Sequence, residues 1–274
     1  MKKKKEFSVS CLSFCLLSGL LVTGSISSAE TPGPGAPPGT PSNYIIGDIH
    51  SNNNYMVALD SGQTNLNIVG DVSAVGTATV GPDANVTSTQ SSAAQINIPV
   101  IDFTGLQAAN GQTIGTKQIM YIDGDVSIDL SDIAAYQNKT VVATGNITVI
   151  RAPGSHQTAD LTANLIARGS IDIDLHGCGS SSYGITGFIF AAGEQSIYIG
   201  HDGKGDFTGI NLDFTGCGHS EKSIQGIIMA KNGSFQMDIH GGGDSDSGVL
   251  RDISVTNDLM EFFDHLTYWR EIRG

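Results

Sequence analysis

Four aspartates stand at alternating positions in segments that predict neighbouring strands: Asp172, Asp174, Asp213 and Asp238. Strict polar–apolar alternation turns apolar side chains towards a core and polar ones outwards. Outward carboxylates on adjacent strands are the groups that polysaccharide lyases and glycosidases use for acid–base work. The competing interpretation is a solvated polar face. The sequence favours this second interpretation because it places no Lys or Arg among the aspartates to act as a base.

Two histidines share the context Asp, apolar residue, His, Gly: His176 follows Asp174, and His240 follows Asp238. His201 stands at a similar predicted strand end. Three histidines at such positions are able to bind a metal ion. The alternative, which the neighbouring glycines favour, is that these are exposed polar residues in turns.

A second cation candidate is the run that contains Asp244 and Asp246, which resembles the start of a calcium loop. A complete loop needs a bidentate Glu at its twelfth position, where Val255 stands instead. The sequence therefore predicts weak Ca²⁺ binding at most, and it predicts no other cofactor.

A short sequence motif, which we call the repeated phrase, recurs along the chain and predicts the strands that position these side chains. Two or three apolar or small residues precede a Gly, and polar–apolar alternation follows it. Repetition about every 20–25 residues, or near multiples of this, is typical of stacked arrays. We therefore predict an all-β fold, a right-handed β-solenoid with a ladder of Ile, Val, Phe and Leu inside. The copies are centred on Gly47, Gly70, Gly124, Gly145 and Gly169, with looser copies at Gly193 and Gly233.

The chain divides into four predicted segments: a signal peptide at 1–29, a Pro/Gly linker at 30–43, the β-solenoid at 44–258 and a C-terminal cap at 259–274. A basic start, an apolar stretch and a small-residue end at Ala29 favour a cleaved signal over an uncleaved anchor. No later stretch is apolar enough to span a bilayer. We therefore expect an exported protein, extracellular or at the cell surface, with the periplasm as a further location.

Two parts of the chain depart from the repeat. Residues 98–117 interrupt it and predict a short helix near 102–110, with Asp102 as its N-cap. The C-terminal segment begins with a capping box and has an apolar helical face, which predicts a cover for an open solenoid end. The alternative is a frayed tail whose aromatic residues face a partner. The predicted cap residues are Phe262, Phe263, Leu266 and Trp269.

The formal net charge of −13 argues against a nucleic-acid partner. Of the four cysteines, Cys11 and Cys15 lie in the predicted signal. Cys178 and Cys217 both stand between glycines, at equivalent points of the repeat. Adjacent strands lie close enough for a disulfide between them, and disulfides persist in exported proteins. Two free buried thiols are the alternative.

The segment Ile98–Phe103 and the ending Tyr268–Glu271, together with the repeated phrase, resemble the solenoid domain of the PilX-like bacterial pilus-assembly proteins. The phrase alone also resembles bactofilins, which are polymer-forming β-helix proteins. In this chain a signal and a linker stand where those pilus proteins have a long apolar helix. The resemblance implies a surface structure and no catalytic residues.

We therefore expect an exported structural or adhesive protein with a surface or pilus-like assembly partner. The alternative is a carbohydrate-active β-helix enzyme that acts on a polysaccharide.

Overall fold

The computed structural model describes residues 43–46, 49–51, 54–59, 66–81, 84–94, 98, 100–151, 157–200, 205–217, 220–242 and 246–251. The predicted signal, almost all of the predicted linker and the predicted cap residues Phe262, Phe263, Leu266 and Trp269 lie outside these residues. Within the described residues, no helix is long and apolar enough to cross a membrane.

The described chain is all-β, as predicted, with a single short helix. Its first part contains β1 (Asn43–Ile46), β2 (Ile49–Ser51), β3 (Tyr55–Leu59), β4 (Leu66–Ala74), β5 (Ala78–Val80), β6 (Ala84–Gln90), α1 (Phe103–Ala108), β7 (Thr113–Ile114), β8 (Lys117–Ile122), β9 (Val126–Asp129), β10 (Lys139–Ala143) and β11 (Ile147–Arg151). The second part contains β12 (Thr158–Ala167), β13 (Ile171–Cys178), β14 (Ser182–Ala191), β15 (Ile197–Ile199), β16 (Gly205–Phe207), β17 (Gly209–Cys217), β18 (Glu221–Ala230), β19 (Ser234–Gly242) and β20 (Asp246–Arg251).

Most strands belong to two sheets whose main pairings are parallel. Sheet one has the order β2-β4-β1-β20-β18-β14-β12-β10-β8-β7, with β6 also paired to β4. Sheet two has the order β5-β3-β19-β17-β13-β11-β9. From β8 to β14 each strand belongs to the sheet opposite its predecessor, so every strand pairs with the next but one along the chain. The antiparallel hairpin β15–β16 is inserted before β17 and is not predicted by the repeat.

The core between the sheets consists of apolar rows in register. In sheet two, Val149, Ile173, Leu212 and Met237 are aligned on four adjacent strands, and all are fully buried. They belong to one cluster with the aligned residues of sheet one, among them Val141, Leu165, Ile189 and Ile228. This is the predicted ladder of apolar side chains.

The outer face of sheet one is apolar as well. Val142, Ile166, Phe190 and Met229 are buried there in a second cluster that includes residues of α1. Both faces are buried here because β10, β12, β14 and β18 each end in a continuous apolar run, as is common in parallel sheets. The predicted helix is confirmed as α1, and its N-cap Asp102 accepts a hydrogen bond from the Thr104 N–H at 3.0 Å.

In three successive turns, the polar residue after the turn glycine links that turn to the next. Asp125 Oδ1 accepts the N–H of Asn146, and Asn146 Oδ1 accepts the N–H of Ser170, both at 2.7 Å. Ser170 Oγ in turn accepts the N–H of Gly209 at 3.0 Å. We call Asp125, Asn146 and Ser170 the turn ladder. It explains why the repeated phrase has a hydrogen-bonding side chain directly after its Gly.

The first strands of the chain pair with its last strands, so each sheet continues from the end of the described chain to its beginning. β1 pairs in register with β20, with Ile45 opposite Val249, and β3 pairs with β19. The edge of β20 is therefore occupied by β1. The sequence had led us to expect a cap from residues 259–274 at this end, and those residues lie outside the described part of the chain.

Candidate functional site: an aspartate–histidine cluster on sheet two

Three of the four candidate aspartates form one row on sheet two. Asp174 on β13, Asp213 on β17 and Asp238 on β19 are in register on adjacent strands, which lie about 4.8 Å apart in a sheet. Asp172 lies in the neighbouring row, and its register partner is Asn211. The Asn211 amide Nδ2 donates to Asp172 Oδ1 at 2.7 Å. The structure thus brings three carboxylates together and gives the fourth an amide partner.

The row is less accessible than the predicted solvated face. Asp213 is 0% exposed, while Asp172 and Asp238 are 5% and 6% exposed. Asp213 is central, with Asp174 and Asp238 on the strands either side of it. The β15–β16 hairpin contacts β13, and Ser170 Oγ donates to the Gln195 carbonyl at 2.6 Å beside the start of that strand.

Two candidate histidines lie two residues further along the outer strands, in the row that includes Thr215, and contact the aspartates. His176 Nε2 lies 2.8 Å from Asp174 Oδ1, and His240 Nε2 lies 3.5 Å from Asp213 Oδ2. Both rings remain partly exposed, with 31% of the His176 side chain and 25% of the His240 side chain accessible. We call these two histidines with Asp174, Asp213 and Asp238 the aspartate–histidine cluster.

Other polar side chains orient the carboxylates. The Thr215 hydroxyl donates to Asp213 Oδ1 at 3.1 Å, and the Gln236 amide donates to Asp238 Oδ2 at 2.7 Å. Thr215 is the register neighbour of both cluster histidines, His176 and His240. Each of these two carboxylates is thereby held by a neighbour on its own strand.

The cluster contains two overlapping sets of metal-ligating groups. Asp174, His176 and Asp213 form one set, and Asp213, Asp238 and His240 form the other, with ligand atoms within 4.8 Å of one another in each. Of the other cation candidates, His201 and Asp244 lie outside the described residues. Asp246 begins β20, and its side chain is outside the described set.

The two cysteines occupy aligned positions on adjacent strands of sheet two. Cys178 on β13 and Cys217 on β17 are register partners at the ends of their strands. Cys178 is disulfide-bonded. The predicted equivalence of the two Gly-Cys-Gly segments is therefore present in the backbone, and we retain the Cys178–Cys217 pairing as a prediction.

A pocket of about 390 Å³ beside α1 was missed by the sequence reasoning. Its lining includes Phe103, Phe190 and Lys231, together with Arg168, whose guanidinium lies 5.1 Å from the Phe103 ring centroid. Arg168 Nε is 3.5 Å from Glu194 Oε2. The repeat could have predicted that these two basic residues lie on the same side of the stack. Arg168 follows Ala167 and Lys231 follows Ala230, and both alanines belong to one register row.

No protein-family model, curated protein or solved structure matches this chain.

Proposed function

We propose that this chain is an exported structural or adhesive protein of the cell surface or extracellular space, built as a right-handed β-solenoid. One observation carries the proposal: parallel register continues from β8 through β20 and on to β1 and β4. Such a stack offers a long, repetitive surface stabilised by backbone hydrogen bonds. The predicted signal peptide supports export.

The alternation of strands between the two sheets supports the proposed solenoid. Two successive strands and their Gly turn make one coil. Aligned positions recur 21 residues apart at Gln118 and Lys139, and 24 residues apart at Thr140 and Asn164. Where the β15–β16 hairpin is inserted, the distance becomes 39 residues, as at Asp172 and Asn211. We propose right-handed coils because crossover connections between parallel strands of one sheet are nearly always right-handed.

The partner that we propose is a surface-fibre or pilus-like assembly. The support is the resemblance of Ile98–Phe103 and Tyr268–Glu271 to PilX-like proteins. A stacked protein with long parallel edges is suited to pairing with further copies or with a fibre subunit.

The alternative is a carbohydrate-active enzyme, and the alignment of Asp174, Asp213 and Asp238 favours it. The burial of Asp213 and Asp238 weighs against it. Acid–base groups of a glycosidase must touch the glycosidic bond, and Asp213 exposes no surface to a polymer. Assay of an acidic polysaccharide panel decides between the two. Cleavage that is lost in Asp174→Ala and Asp238→Ala would replace the structural proposal with the enzymatic one.

Export is tested by fractionating producing cells and sequencing the mature N-terminus. We expect surface or extracellular protein beginning at Glu30. Leu21→Arg places a charge in the apolar stretch and should retain the chain inside the cell, whereas Leu21→Ile should export normally. Retention of the wild-type chain in the cytoplasm would overturn the proposal.

A further inference from the structure

We propose that the aspartate–histidine cluster is a binding site for a divalent transition-metal ion of the zinc type, with Asp213 shared by the two ligand sets. The inference goes beyond the structural role, because a stacked surface protein needs no metal. It rests on Asp174, His176, Asp213, Asp238 and His240, whose ligand atoms lie within 4.8 Å of one another in each set.

Charge is the first reason. Three carboxylates stand in one row, and the central one, Asp213, is fully buried. Buried charges are normally paired or coordinate a metal ion, because removing them from water is costly. A dication beside Asp213 offsets the repulsion between it and its two neighbours. The two histidine rings already point Nε2 at the carboxylates.

The donor atoms select the kind of ion. Imidazole nitrogen with carboxylate oxygen suits Zn²⁺ and similar transition metals, whereas Ca²⁺ takes six to eight oxygen ligands. The hydrogen bonds from Thr215 to Asp213 and from Gln236 to Asp238 are the type of outer contact that orients metal-binding carboxylates. The partly exposed histidines provide the approach from solvent.

Asn211 supplies an independent observation. Its side chain lies on the same face of β17 as Asp213, two residues earlier, and the residue is 0% exposed. Its Nδ2 must face Asp172, because a carboxylate only accepts hydrogen bonds. Within the described part of the chain, the opposite end of this amide, Oδ1, has no hydrogen-bond partner. A buried acceptor without a donor is rare, and a metal ion or its bound water beside the cluster would satisfy it.

The test is titration of the chelator-treated full chain with ZnCl₂ by calorimetry, with CaCl₂ as the comparison ion. We expect saturable Zn²⁺ uptake, a rise in melting temperature with Zn²⁺, and visible absorption when Co²⁺ is used instead. Asp213→Asn should weaken Zn²⁺ affinity by about a hundredfold, and His176→Gln or His240→Gln by about tenfold each, given that even outer-contact mutations cost 10–100-fold. Asp129→Asn removes the same charge from the same sheet and should leave affinity unchanged within about twofold.

Three outcomes would overturn the inference. One is the absence of saturable Zn²⁺ uptake by the wild-type chain. Another is tighter binding of Ca²⁺ than of Zn²⁺. The third is wild-type Zn²⁺ affinity in the His176→Gln/His240→Gln double variant, which would place the metal on other histidines. If Asp213→Asn fails to fold, the double variant decides, because both rings are partly exposed. Normal export with no metal uptake would sink this inference and leave the structural proposal standing.

Discussion

Asn146 and Gly169 fit together so closely that a Cβ atom on Gly169 would lie 2.2 Å from Asn146 Oδ1. The same oxygen accepts the N–H of Ser170. The preceding turn repeats the arrangement, where a Cβ on Gly145 would lie 2.1 Å from Asp125 Oδ1. At Gly145 and Gly169 the glycine is therefore required by the polar residue of the turn before it.

Gly169→Ala should lower the free energy of unfolding by about 1–3 kcal/mol, the usual cost of overpacking. The added methyl group must displace Asn146 or the Gly145 carbonyl, which lies 2.9 Å from the Cβ position. Urea denaturation measures the effect. Gly200→Ala is the matched control, because its nearest contact is the Tyr198 ring at 3.4 Å, and it should change stability by less than about 0.5 kcal/mol. Equal stability of the two variants would contradict this account.

Asn146→Ala should cost about 1–3 kcal/mol because the Ser170 N–H loses its acceptor. Hydrogen exchange at the Ser170 amide should accelerate. Asn146→Asp keeps an oxygen at this position and should preserve most of the protection. An unchanged Ser170 exchange rate in the alanine variant would show that the turn ladder does not contribute to stability.

The proposed Cys178–Cys217 bond should be found by peptide mapping without reduction. It closes a loop of about 39 residues, for which chain entropy gives at most about 4 kcal/mol. Cys178→Ser, Cys217→Ser and the double variant should all lose similar stability, since each removes the same bond. Alkylation of both thiols in the native exported protein would refute the pairing.

Asp129 should give the protein a small pH-dependent stability. Hydrogen bonds from the Ser131 backbone and side chain hold the pKa of Asp129 below its usual value, with a further contribution from Arg151. Because the folded-state pKa is lowered, the stabilisation is present above the unfolded-state pKa and is lost as pH falls through the folded-state pKa. NMR titration of the Asp129 carboxyl should show the lowered pKa. The stability difference between wild type and Asp129→Asn should disappear in acid, and a difference that grows there would contradict the assignment.

Deletion of residues 1–94 should cause self-association, because it uncovers the β20 and β19 edges that β1 and β3 occupy. Unpaired strand edges are templates for pairing with other chains. Light scattering after size-exclusion chromatography measures the effect. Deletion of 1–42 leaves all described strands in place and serves as the control. A monomeric 95–274 fragment would show that these edges are protected by other means.

Local patterns predicted the local structure well. Alternation identified the inner row at Ile173 and the outer row at Asp174, and the helix cap at Asp102 was read from one residue type and its position. The repeat also aligned Cys178 with Cys217, because equivalent positions in successive repeats become register partners.

Features that depend on distant segments could not be read in this way. The burial of Asp213 results from neighbours on two other strands, the β15–β16 hairpin interrupts the period, and the position of β1 beside β20 depends on packing between the two ends of the described chain. Periodicity reports which face a side chain takes, but it carries no information about what covers that face.

The pairing of Ile45 with Val249 limits when, during synthesis, the stack can be completed. The strands near residue 45 are synthesised early and can pair with β4, but their second partner does not exist until the ribosome has passed residue 249. A chain that crosses a membrane N-terminus first would meet the same delay. The two parts of the stack can join only after residue 249 has been made, so a truncated or stalled chain carries an open strand edge that is able to pair with other chains.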